Sequence, residues 1–290
     1  MYSSIAKNKR NTVVIFTAFI AIISAIGFFI SSLYHNSSIF WWTFFGALAY
    51  ASIDYLLAAK IALSMSGARE VSRQQSPEFY AAVDSLSITA GIPMPRLFII
   101  DDPSPNAFAA GNSPRNAVVC VTTGLLELMD KPELEAVIAH EISHIKNYDI
   151  RVSMAAVALT AAIGFLADIA WRLIFWSDDK DSKNPIEIII GLILVIISPI
   201  LAVIIQLAVS REREYLADAS GVMLTRYPDG MISALEKLKA NSTPLKKQSS
   251  TTASLYISNP LKKGAINTLF STHPPLDERI KRLKDNSRKF

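Results

Sequence analysis

The run His140-Glu141-Ile142-Ser143-His144 holds two of the chain's four histidines. On a helix, positions i and i+4 are separated by about 400° of rotation, so both imidazoles leave one face and can share one metal ion. Glu141 sits beside them, placed to take a proton from a metal-activated water. The chemistry this implies is hydrolysis. The bland alternative is a helix whose histidines merely face solvent or core. Half of the histidines falling in one turn counts against it.

A hydrolytic zinc takes three protein ligands and keeps one position open for water. No third histidine follows at the H-E-x-x-H-x-x-G-x-x-H spacing, and only His35 and His273 remain. His35 lies in a loop that the charge pattern below puts across a membrane, so a carboxylate is expected. The segment Arg211-Glu212-Arg213-Glu214-Tyr215-Leu216-Ala217-Asp218 offers two glutamates. Asp218 shares a helical face with Glu214, four residues earlier, and could orient a ligating imidazole. That favours Glu214 over Glu212, which is expected to face solvent. A surface ion pair with a flanking arginine is the other use of Glu214.

What positions these residues is written in the composition. Of 290 residues, 51% are apolar and 19% charged, with a mean hydropathy of +0.30. Ordinary soluble chains carry about 25% charge, so the composition argues against a wholly soluble or disordered chain. The apolar residues bunch into stretches at 13–33, 39–57, 152–175 and 186–209. Each is roughly the 20 residues that cross a bilayer, so four transmembrane helices are expected. The first is too long for a signal-peptide core and lacks a small-x-small cleavage site, so a retained anchor is expected.

Basic residues set the orientation. Lys7, Lys9 and Arg10, then Lys60, Arg69 and Arg73, then Lys146 and Arg151, then Arg211 and Arg213 flank the same side of the four stretches. The short loop 34–38 has no Lys or Arg, and 177–185 has two Lys against three Asp. Positive residues mark the cytosolic side, so both termini and both long polar segments are expected there. Trp41, Trp42, Trp171 and Trp176 all fall at the outer boundary, as interfacial aromatics do. The single cysteine, Cys120, excludes an intrachain disulfide and a cysteine-rich zinc cluster; a buried strand residue is expected.

The organisation read from this is 1–57 (arm and two spans), 58–151 (cytosolic), 152–209 (two spans) and 210–290 (cytosolic). In 58–151, Ser76-Pro77 opens a helix that Gly91 closes, 97–100 and 117–121 are strands, and Asp130 with Glu133 forms a capping box ahead of the histidines. After the fourth span, helices are expected at 211–223, 230–240 and 277–284, with a loop over 241–252. Residues 211–290 carry 15 Lys/Arg and 8 Asp/Glu. This basic tail suits a solvated face or anionic lipid; nucleic acid is not an expected partner. No G-x-x-x-x-G-K-[ST] run is present, so no ATP site is expected.

These motifs, with Asn106-Ala107-Phe108-Ala109, Arg213 to Asp218, Thr272-His273-Pro274-Pro275 and Arg279, resemble in order the HtpX family of bacterial inner-membrane zinc endopeptidases, which are similar to CAAX prenyl proteases. The resemblance implies an α+β integral membrane protein, its four transmembrane helices carrying a mostly helical, zincin-like cytosolic domain built from two chain segments. It implies one Zn²⁺ per chain on His140, His144 and Glu214, with Asp218 behind them and Glu141 as base. It also implies that Asn106–Ala109 is a substrate-side strand beside the metal, with Asn106, Ala107, Phe108 and Arg279 binding substrate, and that His273 and Arg279 support the transition state or the site near it. The implied substrates are unfolded, misfolded or surplus membrane proteins, cleaved at the cytosolic face. A CAAX-type processing enzyme and a non-catalytic adaptor with structural zinc are the alternatives.

Overall fold

The computed structural model describes residues 2–175, 211–247, 249, 251–261 and 274–287. Helices α1 (Tyr2–Leu33) and α2 (Ser37–Ser66) are followed by β1 (Arg69–Glu70), α3 (Pro77–Ala90), β2 (Arg96–Ile100), β3 (Ala107–Ala110), β4 (Val118–Thr122), α4 (Thr123–Leu128), α5 (Lys131–Lys146) and α6 (Asp149–Phe175). Then come α7 (Arg211–Thr225), α8 (Pro228–Ala240) and α9 (Leu276–Asn286). The chain divides into two compact units. One comprises Met1–Lys9, Ala59–Met154 and Val209–Phe290, and the other Arg10–Ala58 and Ala155–Ala208.

Among the described residues, Ile5–Ser32 is the helix long and apolar enough to cross a membrane. A second span is present if the pair Ser37–Ile53 and Tyr55–Ser66, bent by 54°, counts as one. Large apolar side chains on these helices point outward, Trp42 at 80% exposure and Phe28 and Leu56 at 66%. An apolar surface of this kind suits lipid rather than water. The stretch expected as a third span is helical within α6. The fourth, with Trp176, lies outside the described residues.

The first unit is built on a four-stranded sheet of order β1-β2-β4-β3, with β2 and β4 parallel and the other pairs antiparallel. Strands β2, β3 and β4 read Arg-Leu-Phe-Ile-Ile, Ala-Phe-Ala-Ala and Val-Val-Cys-Val-Thr, and all but Arg96 are buried. Such continuous apolar runs mark strands covered on both faces. Strand β1 escapes the sequence reading, and β3 is implied there by the resemblance and not by its own residues. Two residues are too few to show alternation, and Ala-rich β3 has low strand propensity until it pairs with β4.

Helix α5 is buried almost all round and packs against α3, α7, α8, β3 and β4. Its start is fixed locally. The Glu133 amide donates to Asp130 Oδ1 at 3.1 Å and the Asp130 amide to Glu133 Oε2 at 2.9 Å, a complete capping box. Helix α3 starts on Pro77 without a side-chain bond from Ser76, and ends at Gly91 with φ +69°. Helix α7 lies close to α5 because position 221 is glycine: a Cβ there would meet the His140 backbone nitrogen at 3.1 Å. Cys120 is buried in β4, and burial, with the Glu141 charge, holds its thiol well above the ordinary range.

Candidate active site

Helix α5 presents His140 and His144 from one face, and α7 brings Glu214 to them. The two Nε2 atoms are 3.1 Å apart. Glu214 Oε1 lies 3.6 Å from His144 Nε2, and Oε2 lies 3.7 Å from His140 Nε2. A tetrahedral zinc with bonds near 2.0–2.1 Å separates its ligand atoms by roughly 3.3–3.4 Å, so this triangle is the right size.

The tautomers point the same way. His140 Nδ1 faces Asp218 Oδ1 at 3.0 Å, and His144 Nδ1 faces Asp149 Oδ2 at 3.1 Å. Each carboxylate draws the ring proton to Nδ1 and leaves a lone pair on Nε2. With His144 deprotonated, two lone pairs and a carboxylate converge, a donor set that suits a metal ion. The residues therefore fit the metal.

Burial and the Arg279 guanidinium hold His140 down at about 4, so it is neutral at neutral pH. Burial also opposes charge on His144, yet the Asp149 hydrogen bond and the Glu214 carboxylate outweigh it and push this imidazole up to about 9. A metal ion held by His140, His144 and Glu214 would displace that proton. Burial raises Asp218, but Arg279 outweighs it and holds the carboxyl at about 2. Arg279, fully buried, makes a two-point pair with Asp218, Nε to Oδ2 at 2.8 Å and Nη2 to Oδ1 at 2.6 Å. Its Nη1 lies 3.6 Å from Glu214 Oε2. The resemblance implies that Arg279 supports the transition state or the site near it; the structure places it behind the ligands, locking Asp218.

Glu141 is buried and lines a cavity of about 20 Å³ together with Ala109, His144, Asp149, Arg213 and Glu214. That volume is enough for one water molecule. Ala109 belongs to β3, the edge strand, whose outer side is partly taken. The Ile257 amide donates to the Ala107 carbonyl at 2.9 Å. Asn106 Nδ2 donates to the Ser258 carbonyl at 2.8 Å, and the Ser258 amide to Asn106 Oδ1 at 3.2 Å. Phe108 packs edge-on to Tyr256, ring centroids 5.0 Å apart. Asn106, Ala107 and Phe108, expected on the substrate side, are thus buried and hold the segment around Ile257. His273 lies outside the described residues.

Sequence reasoning passed over Asp149. The signal was present, since an acid in the first turn of a helix after His144 is favoured there. What was missing is the turn at Tyr148, with φ +60°, which brings that carboxylate back onto the histidine.

The model for peptidase family M48 matches residues 73–287. A protease HtpX homolog of Tropheryma whipplei (strain Twist) is 46% identical over 291 residues, covering 100% of both chains. One from Streptococcus gordonii is 45% identical over 295 residues, covering 98% of this chain and 99% of its own. Among solved structures, Ste24p of S. mikatae is similar at a TM-score of 0.55 and 20% identity, over 98% of this chain and 67% of that one. These matches run through the helix that carries both histidines and the helix that carries Glu214, so the chain belongs to peptidase family M48 and is a membrane-bound metalloprotease.

Proposed function

We propose that this metalloprotease uses one zinc ion, held by His140, His144 and Glu214, to cut exposed or unfolded segments of membrane proteins at the cytosolic face of a bacterial inner membrane. The observation that carries the metal is the convergence of two Nε2 atoms and one carboxylate within 4.8 Å of one another. Zinc bound there would lower the pKa of a water and polarise the scissile carbonyl.

The protein's own residues do the rest. Glu141, lining the cavity that has room for one water, would take that water's proton and deliver it to the departing amine. Asp218 and Asp149 hold the two imidazoles in the ligating tautomer. The main chain of Ala109, on the edge strand beside that cavity, is where an extended peptide can align by strand addition.

Four spans with both termini cytosolic, and a role in removing damaged or surplus membrane proteins, belong to this reading. The charge asymmetry of the loops supports the orientation. With no nucleotide motif in the chain, already unfolded segments are the natural substrates.

The test compares the native chain with Glu141→Gln and Glu214→Ala, measuring bound metal and casein cleavage. Native and Glu141→Gln should hold about one zinc per chain, with cleavage lowered about 10²–10⁴-fold in Glu141→Gln. Glu214→Ala should lose the zinc. Undiminished cleavage by Glu141→Gln removes the base from the scheme, and zinc retained by Glu214→Ala removes the third ligand. A zinc-loaded native chain inert toward every unfolded substrate points instead to dedicated processing of one target.

A further inference from the structure

The N-terminal arm belongs to the protease unit: Met1–Lys9 groups with Ala59–Met154 and Val209–Phe290. Its point of entry is Asn8, only 3% exposed. The Asn8 amide nitrogen donates to the Asn147 carbonyl at 2.9 Å and to Asp149 Oδ1 at 2.6 Å. The other oxygen of that carboxylate, Oδ2, is the one 3.1 Å from His144 Nδ1. Beside it, the Lys9 ammonium lies 4.7 Å above the Tyr148 ring.

The geometry is specific. Both groups facing Asn8 Nδ2 are acceptors, so only the NH₂ end of the amide fits, and its two protons meet two oxygens. Together they bracket the Asn147–Asp149 turn, whose middle residue, Tyr148, holds the left-handed conformation at φ +60°. A non-glycine residue in that region is strained and persists only where its surroundings hold it. Released from this grip, Asp149 has other rotamers open to it and need not stay on the histidine.

We propose that Asn8 is a positioning residue for the metal site: by bridging the Asn147 carbonyl and the Asp149 carboxylate, it fixes the carboxylate that orients His144, and so makes metal affinity depend on the N-terminal arm. This rests on His140, His144 and Glu214 being the metal set. Partners behind a metal ligand are worth about 10–100-fold in metal affinity, and Asn8, one link further back, is assigned the lower end, about tenfold. Because α1 is one helix over Tyr2–Leu33, the same helix carries this residue and the apolar stretch that follows it.

The experiment measures zinc affinity of the full chain in detergent. The metal-stripped protein, in a Glu141→Gln background that prevents self-cleavage, competes for zinc with a chromophoric chelator. Asn8→Leu keeps most of the buried volume and removes both hydrogen bonds. Asn8→Asp keeps the shape and places a second carboxylate against Asp149. Zinc affinity should fall about tenfold in Asn8→Leu and further in Asn8→Asp. In an Asp149→Ala background, Asn8→Leu should have no added effect, since its route to the histidine is gone.

Native-like affinity in Asn8→Leu overturns the proposal, and so does a tenfold loss that persists undiminished with Asp149→Ala, which marks a purely structural arm. If the reference protein itself binds no zinc, the metal assignment fails and takes the proposal with it. Thermal melting of the metal-free forms separates a destabilised fold from a misplaced ligand.

Discussion

Arg279 gives the sharpest test of how the site is held. It is fully buried, and its guanidinium closes a two-point bond to Asp218, itself 2% exposed and 3.0 Å from His140 Nδ1. Arg279→Met keeps much of the side-chain volume and removes the charge, leaving the Asp218 carboxylate buried beside an imidazole. Removing one partner of a buried pair costs about 3–5 kcal/mol, because the remaining charge keeps its desolvation penalty. At about 2–4 °C per kcal/mol for a unit of this size, the melting midpoint should fall by about 6–20 °C.

Asp218 would also lose the cation that keeps its carboxyl low, and zinc affinity should fall about 10–100-fold as the orientation of His140 loosens. Arg279→Lys keeps the charge but not the planar fork, and should recover only part of both losses. Replacing both partners, Arg279→Met with Asp218→Leu, should restore the melting midpoint and not the affinity. That separates the cost of an orphaned charge from the orientation of a ligand. The assays are scanning calorimetry of metal-free protein and zinc competition. If Arg279→Met keeps native melting and zinc affinity while KM rises, the residue contacts substrate and the argument from burial is refuted.

Three further outcomes follow from the same geometry. Gly221→Ala would put a Cβ 3.1 Å from the His140 nitrogen and 2.9 Å from Met231 Cε; the thioether can swing away but the helix cannot, so a loss of about 1–3 kcal/mol by denaturant titration is expected. Burial raises Glu133, but hydrogen bonds from Lys237 and Ser233 outweigh it and hold this carboxyl below its ordinary 4.5. Its stabilisation is therefore complete above that value and lost as pH falls through the lower folded one. Glu133→Gln should cost about 1.5–3 kcal/mol at neutral pH, and the gap should close in strong acid; a pH-independent gap would contradict the sign. Cys120, buried with its thiol pushed up, should resist iodoacetamide in the folded chain and react once denatured, as mass spectrometry would show.

Much of the fold was open to reading from near neighbours along the chain. The histidines at i and i+4 share a face by helical period alone. The Asp130–Glu133 box starts α5 by bonds three residues apart, and the buried strands β2 and β4 announce themselves as unbroken apolar runs. Basic residues at the ends of apolar stretches predict an orientation for the same reason: the physics acts over a few residues. Ala107–Ala110 shows the limit, because an alanine-rich segment becomes a strand only when another strand pairs with it.

The site needed packing to be decided. Glu212 and Glu214 have the same chemistry, and the contact of α7 with α5 leaves Glu212 exposed and turns Glu214 inward, through small residues at Ala217 and Gly221. Asn106 reads locally as a turn residue after Pro105, and only the fold engages its amide with Ser258, far along the chain. Asp149 reaches His144 only because Tyr148 bends the chain back, and Asn8 reaches Asp149 from the other end of the sequence. A side chain's type is local, whereas its partner is whatever tertiary packing brings within 3 Å.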